Sequence, residues 1–235
     1  MNYAQLTSIP LFTGISGDDL AIIMDRVDLL EIDLAPGEVF VRDGDVSQGM
    51  AILREGRMMR CRTHGEGSFT NARGQLCPLC YQVCETVSPG FILEPEVLFG
   101  LDQRHRNTWT AQTSCRLTLI GKNEIRQTLM YVPVWRINFV NLLCTSLQRS
   151  QDDVLPMPAS DCREQVLRFL LRHFTSRGLS ADMDITIEQM GHCLGLNRRT
   201  MTKVIGLLEQ EGLVERTRQR LHIESIAKLR DNIQI

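Results

Sequence analysis

The sequence predicts an α+β chain with three successive parts: an antiparallel β-barrel or sandwich, a long helix and a winged helix-turn-helix. Closely and evenly spaced turn signals in residues 30–61 indicate short antiparallel strands. Apolar residues at helical spacing mark the middle, and two short capped helices before a basic hairpin mark the end. With 235 residues the chain has room for about two domains. We place the three parts at residues 1–130, 131–154 and 155–235.

Short apolar runs and tight turns alternate in the first part, after a short amphipathic helix at residues 18–27. The predicted strands are Leu30–Leu34, Val39–Arg42, Met50–Arg54 and Arg57–Cys61, and the turns between them are Pro36–Glu38, Asp43–Asp45 and Glu55–Gly56. No helix of useful length fits between these turns. The pattern therefore favours an antiparallel barrel or sandwich.

The middle part contains the other long helical pattern, from Asn123 to Gln148, with an interruption expected at Pro133. Its apolar stripe consists of Ile137, Val140, Cys144 and Leu147, widened by Trp135, Phe139, Leu142 and Leu143. One face can pack on the barrel while the other meets a second copy of the helix, as in a parallel dimer. A helix fully buried in a monomer is the alternative. Two prolines within residues 155–160 mark a domain boundary.

The last part begins with a helix that Asp161 caps and Gly178 closes, and it continues with two shorter helices. Thr186 and Gln189 form a capping-box pattern, so the first short helix should start at residue 187. Gly195 ends it and Asn197 caps the next helix. The core face of that second helix should be Met201, Val204, Ile205 and Leu208, and a hairpin should follow Gly212.

This order of caps, turn and basic hairpin describes a winged helix-turn-helix, a motif that binds DNA. The predicted DNA-binding residues are Asn197, Arg198, Arg199, Thr200, Thr202, Lys203 and Arg218. Arginine can bridge guanine O6 and N7 with two hydrogen bonds, whereas lysine mostly supplies a point charge. The chain has a net charge of −2, so any basic surface must be local. Residues 196–222 hold six Lys and Arg against three Glu, whereas residues 1–60 hold five Arg against ten acidic residues. An ordinary solvated helical hairpin with basic surface residues is the alternative.

The segment from Met190 to Met201 resembles the helix-turn-helix of the Crp/Fnr superfamily, the bacterial regulators related to the cyclic-AMP receptor protein. The strands and turns before it resemble the jelly-roll domain of the same superfamily. The resemblance implies a jelly-roll sensor domain, a dimerisation helix, a homodimer on palindromic double-stranded DNA and contact with RNA polymerase. Arg199 stands where the superfamily usually has glutamate, and arginine cannot accept a hydrogen bond from cytosine. The operator should therefore differ from the usual half-site.

The nucleotide-binding cassette of the superfamily is only partly matched, by a tentative effector pocket of Glu94, Arg106, Asn107 and Thr108. Leu93 replaces the glycine of the cassette and Asn107 replaces its hydroxyl residue. In addition, Pro95 removes one backbone donor. These departures argue against cyclic AMP as the effector. An internal Glu94–Arg106 ion pair and a pocket of altered specificity are the alternatives.

Residues 62–85 read as an insertion that ends in a cysteine cluster, and Cys77, Cys80 and Cys84 are tentative metal ligands. Cys61 or His64 could complete a set of four. These cysteines could bind zinc, bind an iron–sulfur cluster or act as a redox-active dithiol. The alternative is a mobile loop whose thiols stay reduced. Haem in the barrel is a further cofactor to consider.

Several classes of protein find no support in the sequence. No nucleophile elbow, phosphate loop or zinc-and-carboxylate motif is present, so we expect a regulator and not an enzyme. No signal peptide is visible and no apolar run approaches the roughly 20 residues that span a bilayer. We therefore expect a cytoplasmic protein whose eight cysteines are free thiols, metal ligands or redox switches and not a structural disulfide framework.

Overall fold

The computed structural model describes residues 6, 9–71, 73–154, 161–175 and 178–233. It divides into two compact units, one of Met1–Met58 with Ser88–Leu155 and the other of Met59–Val87 with Pro156–Ile235. The division differs from the predicted one because residues 59–87, expected in the sensor domain, group with the C-terminal domain. The predicted boundary at residues 155–160 lies outside the described residues.

The described elements confirm the α+β class. The strands are Leu29–Leu34 (β1), Val39–Val41 (β2), Gly49–Glu55 (β3), Met58–His64 (β4), Ser68–Thr70 (β5), Leu76–Pro78 (β6), Tyr81–Val87 (β7), Ile92–Leu93 (β8), Thr108–Ala111 (β9), Cys115–Gly121 (β10), Gly178–Asp184 (β11), Glu215–Arg216 (β12) and Leu221–Ile223 (β13). The α-helices are Gly17–Met24 (α1), Lys122–Gln127 (α2), Pro133–Val154 (α3), Cys162–Leu171 (α4), Ile187–Leu194 (α5), Arg198–Gln210 (α6) and Ile226–Asp231 (α7). Short 3-10 helices occur at Pro10–Phe12, Pro95–Val97 and Leu129–Tyr131.

The first unit is built on antiparallel strands, as the sequence predicts. One sheet has the order β1-β10-β3-β8, and β2 pairs with β9. The turn after β3 requires glycine, because Gly56 has a φ of +86° and a Cβ there would lie 2.2 Å from the oxygen of Ser114. The apolar core of this unit joins the sheet to helices α1 and α3, through residues that include Phe12, Leu20, Ile52 and Trp135.

Helix α3 begins at Pro133, which confirms the predicted interruption. Proline is well tolerated there because the first residue of a helix needs no N–H partner. Trp135 and Phe139 are buried and their rings stack 5.2 Å apart. The opposite face carries exposed apolar side chains at helical spacing, namely Val134, Ile137, Val140 and Leu147. The helix therefore has one face in the core and one apolar face in solvent.

The second unit combines a sheet with helices α4 to α7, and its strands have the order β12-β13-β11-β7-β4. Strand β11 was not predicted from the sequence. We expected Gly178 to end a helix. Helix α4 instead ends at Leu171, and Gly178 begins a strand that pairs on both edges. Glycine, alanine and aspartate have low strand propensity, so this strand depends on its neighbours and not on its own residues.

Helices α4, α5 and α6 enclose the apolar core of the second unit, which includes Val166, Leu170, Met190 and Ile205. Asp161 caps α4 as predicted, with its side chain accepting a hydrogen bond from the backbone of Glu164 at 2.8 Å.

In the part of the chain that the structure describes, no helix has the length and apolar character needed to cross a membrane.

Candidate functional site

Helix α5 starts where the capping pattern predicts. The hydroxyl oxygen of Thr186 accepts from the backbone N–H of Gln189 at 3.1 Å. In return, the side-chain oxygen of Gln189 accepts from the backbone N–H of Thr186 at 2.8 Å. The helix ends at Gly195, whose φ of +67° is the left-handed conformation expected of a C-cap glycine. The reciprocal cap leaves the first turn of α5 well defined.

Helix α6 follows after a three-residue connection, and Asn197 caps it by accepting from the backbone N–H of Thr200 at 2.9 Å. All four residues of the predicted core face are buried, namely Met201, Val204, Ile205 and Leu208. The helix is thereby fixed with Arg198, Arg199, Thr202 and Lys203 exposed to solvent. Two of these, Arg198 and Thr202, lie one turn apart on the same side.

The cations of this surface fall into two groups. Within the described residues, no carboxylate lies within 4.0 Å of the charged groups of Arg198, Arg199, Lys203 and Arg218, which leaves their charge uncompensated locally. By contrast, Arg216 contacts Glu209 at 3.6 Å and Arg220 contacts Asp184 at 2.7 Å. The basic potential is therefore concentrated at the start of α6 and at the tip of the hairpin.

A cleft of about 640 Å³ joins these elements. It is lined by the first turn of α5, by one side of α6 and by the hairpin, through Thr186, Ile187, Glu188, Arg198, Thr202, Arg216, Thr217 and Arg218. The start of a helix offers free N–H groups and a partial positive charge. Together with three arginines it forms a site that suits a phosphate backbone. Glu188 is the one acidic residue in this lining.

The cleft brings together three of the seven predicted DNA-binding residues: Arg198, Thr202 and Arg218. Arg199 and Lys203 lie on the exposed part of α6 that adjoins it. The side chain of Asn197 accepts a hydrogen bond from the backbone of Thr200 in the helix cap. Sequence reasoning missed Thr186, Ile187 and Glu188 as part of this surface, although the capping box already placed a helix start there.

The predicted effector residue Glu94 is buried and has a left-handed backbone, with a φ of 40°. Its carboxylate accepts four hydrogen bonds. The donors are the ring of His105 at 2.9 Å, the backbone of Arg106 at 2.9 Å, the side chain of Asn107 at 2.6 Å and the indole of Trp109 at 2.9 Å. Burial acts to raise the pKa of Glu94, but these hydrogen bonds outweigh it and the pKa is lowered.

The internal ion pair considered between Glu94 and Arg106 is not formed. Arg106 contacts Glu94 only through its backbone, and its guanidinium points to Asp102 at 3.7 Å with 58% of the side chain exposed. The hydroxyl of Thr108 accepts from the backbone of Asp43 at 3.2 Å. Of the four predicted effector residues, only Glu94 and Asn107 have side chains that hydrogen-bond to each other. His105 and Trp109 could have been found from the sequence, because they alternate with Asn107 and such residues face the same side of an extended chain.

The predicted metal set of Cys77, Cys80 and Cys84 is not assembled in the structure, because Cys84 forms a disulfide with Cys61. Adjacent strands β4 and β7 bring these two cysteines face to face. The disulfide also corrects the expectation that the cysteines do not form structural disulfides. Cys77 and Cys80 are free thiols. Among the described residues, no group of three or more His, Cys, Asp or Glu side chains could hold a metal ion.

Comparison with known proteins gives one family match. Residues 164–231 match the model of the Crp-like helix-turn-helix domain. No curated protein matches the chain. Solved structures similar to it include the catabolite activator protein of Thermus thermophilus, which is 20% identical over 94% of this chain and 97% of that chain, with a TM-score of 0.49. DNR from Pseudomonas aeruginosa is 17% identical over 97% of this chain and 95% of that chain, with a TM-score of 0.42.

The family match covers α4 to α7 and the hairpin, and so includes the elements that line the cleft, which are α5, α6 and the hairpin. The resemblance predicted from Met190–Met201 is confirmed over this region. Residues 164–231 form a Crp-like helix-turn-helix domain, and this domain supports a DNA-binding transcription regulator.

Proposed function

We propose that the chain acts as a homodimer that binds a palindromic operator and that an effector changes its affinity for DNA. The observation that carries this proposal is the cleft where the start of α5, Arg198 of α6 and Arg218 of the hairpin meet. Phosphate contacts from the cleft would fix the position of the protein on the duplex, and α6 would read the bases.

The two arginines at the start of α6 are the base-reading candidates. Arg198 and Arg199 are exposed and have no carboxylate partner among the described residues, so both guanidinium groups are available to DNA. Each can donate two parallel hydrogen bonds to one guanine. Because Arg199 cannot accept from cytosine, we infer an operator with guanine where regulators with glutamate at this position read cytosine on the same strand. Lys203 would add a phosphate contact one turn on.

The exposed apolar face of α3 supports the homodimer. Val134, Ile137, Val140 and Leu147 are between 43% and 59% exposed and recur at spacings of three and seven residues. Exposed apolar side chains arranged in one stripe are typical of a helix that packs on a second copy. A two-fold dimer would present two α6 helices to two half-sites. Contact with RNA polymerase follows from the resemblance alone.

Cyclic AMP is not the effector that the Glu94 site favours. The carboxylate of Glu94 already accepts four hydrogen bonds from its own chain, so it has no free acceptor for a ribose hydroxyl. The guanidinium of Arg106 points to Asp102 and not to Glu94. Control would follow a population shift, in which the effector binds better to the geometry that reads DNA.

Selection of duplexes from a randomised pool tests the proposal. We expect the reduced protein to enrich a palindromic sequence with two half-sites about one helical turn apart. The affinity should fall steeply with salt, because phosphate contacts release counterions. Enrichment of single half-sites would contradict the dimer, and failure to enrich any duplex at low salt would contradict operator reading.

A further inference from the structure

One side chain of helix α5 forms hydrogen bonds with the backbone of the segment that contains the free cysteines. The amide nitrogen of Gln189 donates to the backbone oxygens of Pro78 at 3.0 Å and Cys80 at 3.1 Å. The oxygen of the same side chain accepts from the backbone of Thr186 at the start of α5. Gln189 therefore connects the Cys77–Cys80 segment to the helix start that lines the DNA cleft. We call these two hydrogen bonds to Pro78 and Cys80 the Gln189 clasp.

A ring contact reinforces the clasp one turn further along α5. The ring of Phe69 lies 4.1 Å from the ring of His192, and Phe69 is buried. Phe69 pairs with Cys77 across strands β5 and β6. The β5–β6 hairpin thus rests on the side of α5 that faces away from the apolar core. It is held by a side chain at each of two successive turns of the helix.

The two thiols in this segment are close in sequence but form no disulfide in the structure. Cys77 is half-buried and Cys80 is exposed. Residues Leu76–Pro78 form strand β6, and the chain makes no hydrogen-bonded turn before Cys80. An extended span of three residues covers about 10 Å, whereas a disulfide needs Cα atoms about 4.4–6.8 Å apart. A Cys77–Cys80 bond therefore requires the segment to bend.

Bending would displace the acceptors of the clasp. The oxygens of Pro78 and Cys80 lie inside the segment that must close, so they cannot both keep their positions relative to Gln189. The backbone N–H of Leu79, which donates to Gly67 at 3.0 Å, would be displaced as well. The adjacent Cys61–Cys84 disulfide already ties strand β4 to strand β7, so the change would be confined to the β5–β6 hairpin and its contact with α5.

We propose that Cys77 and Cys80 form a reversible redox site that regulates the DNA interface through the Gln189 clasp, with a low-molecular-weight disulfide such as glutathione disulfide as oxidant. This proposal rests on the proposed DNA-binding function. The exposed thiolate of Cys80 attacks glutathione disulfide, which forms a mixed disulfide and releases one glutathione. The thiolate of Cys77 then attacks the sulfur of Cys80 and releases the second glutathione. Two thiols are oxidised and one disulfide is reduced.

Closure of the disulfide should weaken DNA binding. Without the clasp, Gln189 loses two acceptors and the start of α5 loses its connection to the hairpin. The cleft would then present a less ordered first turn to the phosphate backbone. From the usual contribution of two hydrogen bonds, we expect the affinity to fall roughly 5- to 150-fold on oxidation and to return on reduction.

The test measures the affinity of the full chain for a selected duplex before and after treatment with glutathione disulfide. Mass spectrometry of peptides confirms that Cys77 and Cys80 are joined. A Cys77→Ser/Cys80→Ser variant should bind with the affinity of the reduced protein and should not respond. The matched control is Cys61→Ser/Cys84→Ser, which should still respond because it keeps both thiols of the redox site.

A Gln189→Glu variant isolates the clasp. Glutamate keeps the oxygen that accepts from Thr186 but replaces the donor to Pro78 and Cys80. The added charge will weaken DNA binding in either redox state, so the readout is the ratio of the two affinities, which should be close to one. A ratio like that of the unmodified protein would contradict the role of the clasp.

Two further outcomes would overturn the redox site itself. One is that no Cys77–Cys80 disulfide forms under glutathione disulfide, and the other is that it forms without changing the affinity. If the reduced protein binds no duplex at all, it is the proposed DNA function that fails. In that case hydrogen exchange at the start of α5 still tests the redox site, because exchange should increase on oxidation. Unchanged exchange in the disulfide form would then overturn it.

Discussion

Arg60 contacts Glu85 at 2.7 Å within the second unit, and the side chain of Glu85 is completely buried. The other carboxylate oxygen accepts from the backbone of Thr175 at 2.7 Å and from its hydroxyl at 2.8 Å. Gly178 makes room for this carboxylate, because a Cβ at that position would lie 1.9 Å from an oxygen of Glu85. Strands β4, β7 and β11 are thus joined around one acidic side chain.

The first prediction concerns this buried pair. Glu85→Ala should lower the free energy of unfolding by about 3–5 kcal/mol, because it leaves Arg60 and Thr175 without their partner. Chemical denaturation followed by circular dichroism measures the change. Asp33→Ala, which removes an exposed partner of Arg116, is the control and should have little effect. Equal effects of the two substitutions would contradict the importance of the buried pair.

The second prediction concerns acid sensitivity. Burial, with the nearby His64 and Arg172, lowers the pKa of His173 to about 3. Its ring accepts from the hydroxyl of Tyr81 at 2.9 Å and donates to the backbone oxygen of Phe169 at 2.7 Å, which fixes the neutral form. Since the unfolded histidine takes up a proton near pH 6.5, the stabilisation is complete above that pH and is lost as the pH falls toward 3.

Within this window the free energy of unfolding should fall by about 1.4 kcal/mol per pH unit from His173 alone. Burial, aided by Arg62, Arg60 and Arg172, also lowers the pKa of His64 to about 4, and this histidine acts in the same direction. Denaturation of the intact chain at a series of pH values measures the slope. His173→Gln stays neutral throughout and should flatten it, and an unchanged slope would show that other groups are responsible.

The third prediction concerns the Glu94 network in the first unit. Glu94→Gln replaces one acceptor oxygen with a donor that meets other donors, so we expect a loss of about 2–4 kcal/mol of unfolding free energy. Both tryptophans of the chain, Trp109 and Trp135, lie in this unit, so their fluorescence reports its unfolding. Asp25→Asn, which changes an exposed carboxylate of the same unit, is the control. A similar loss in both variants would argue against a specific role for Glu94.

The fourth prediction concerns helix α3. Ile137→Asp places a charge in the exposed apolar face and should convert the dimer to a monomer. Sedimentation equilibrium measures the mass. Gln127→Glu adds the same charge at an exposed position of α2, outside this face, and should leave the dimer intact. A monomeric unsubstituted protein, or a dimer that survives Ile137→Asp, would place the contact elsewhere.

The sequence predicted the local features of the helix-turn-helix well, because short-range chemistry determines them. The Thr186 and Asn197 caps, the Gly195 turn and the buried face of α6 each depend on residues within one or two turns of one another. The antiparallel strands of the first unit were predicted for the same reason, since tight turns delimit them.

Long-range features were missed. Strand β11 has residues of low strand propensity and exists because β7 and β13 pair with it. The Cys61–Cys84 disulfide and the Gln189 clasp join residues that are 23 and 109 to 111 positions apart. The direction of the Arg106 side chain, away from Glu94, also depends on how the chain packs around residue 94. No local pattern encodes these contacts.

The most direct test of the central claim, that helix α6 reads DNA from this cleft, is the fluorescence anisotropy of a selected duplex titrated with the unsubstituted protein and with Arg198→Ala. We expect Arg198→Ala to cost about 1–3 kcal/mol of binding and to abolish discrimination at one base pair in each half-site. Arg26→Ala, which removes the same charge from an exposed position of the first unit, should bind like the unsubstituted protein. Equal binding by Arg198→Ala and Arg26→Ala, at every base pair tested, would contradict the account.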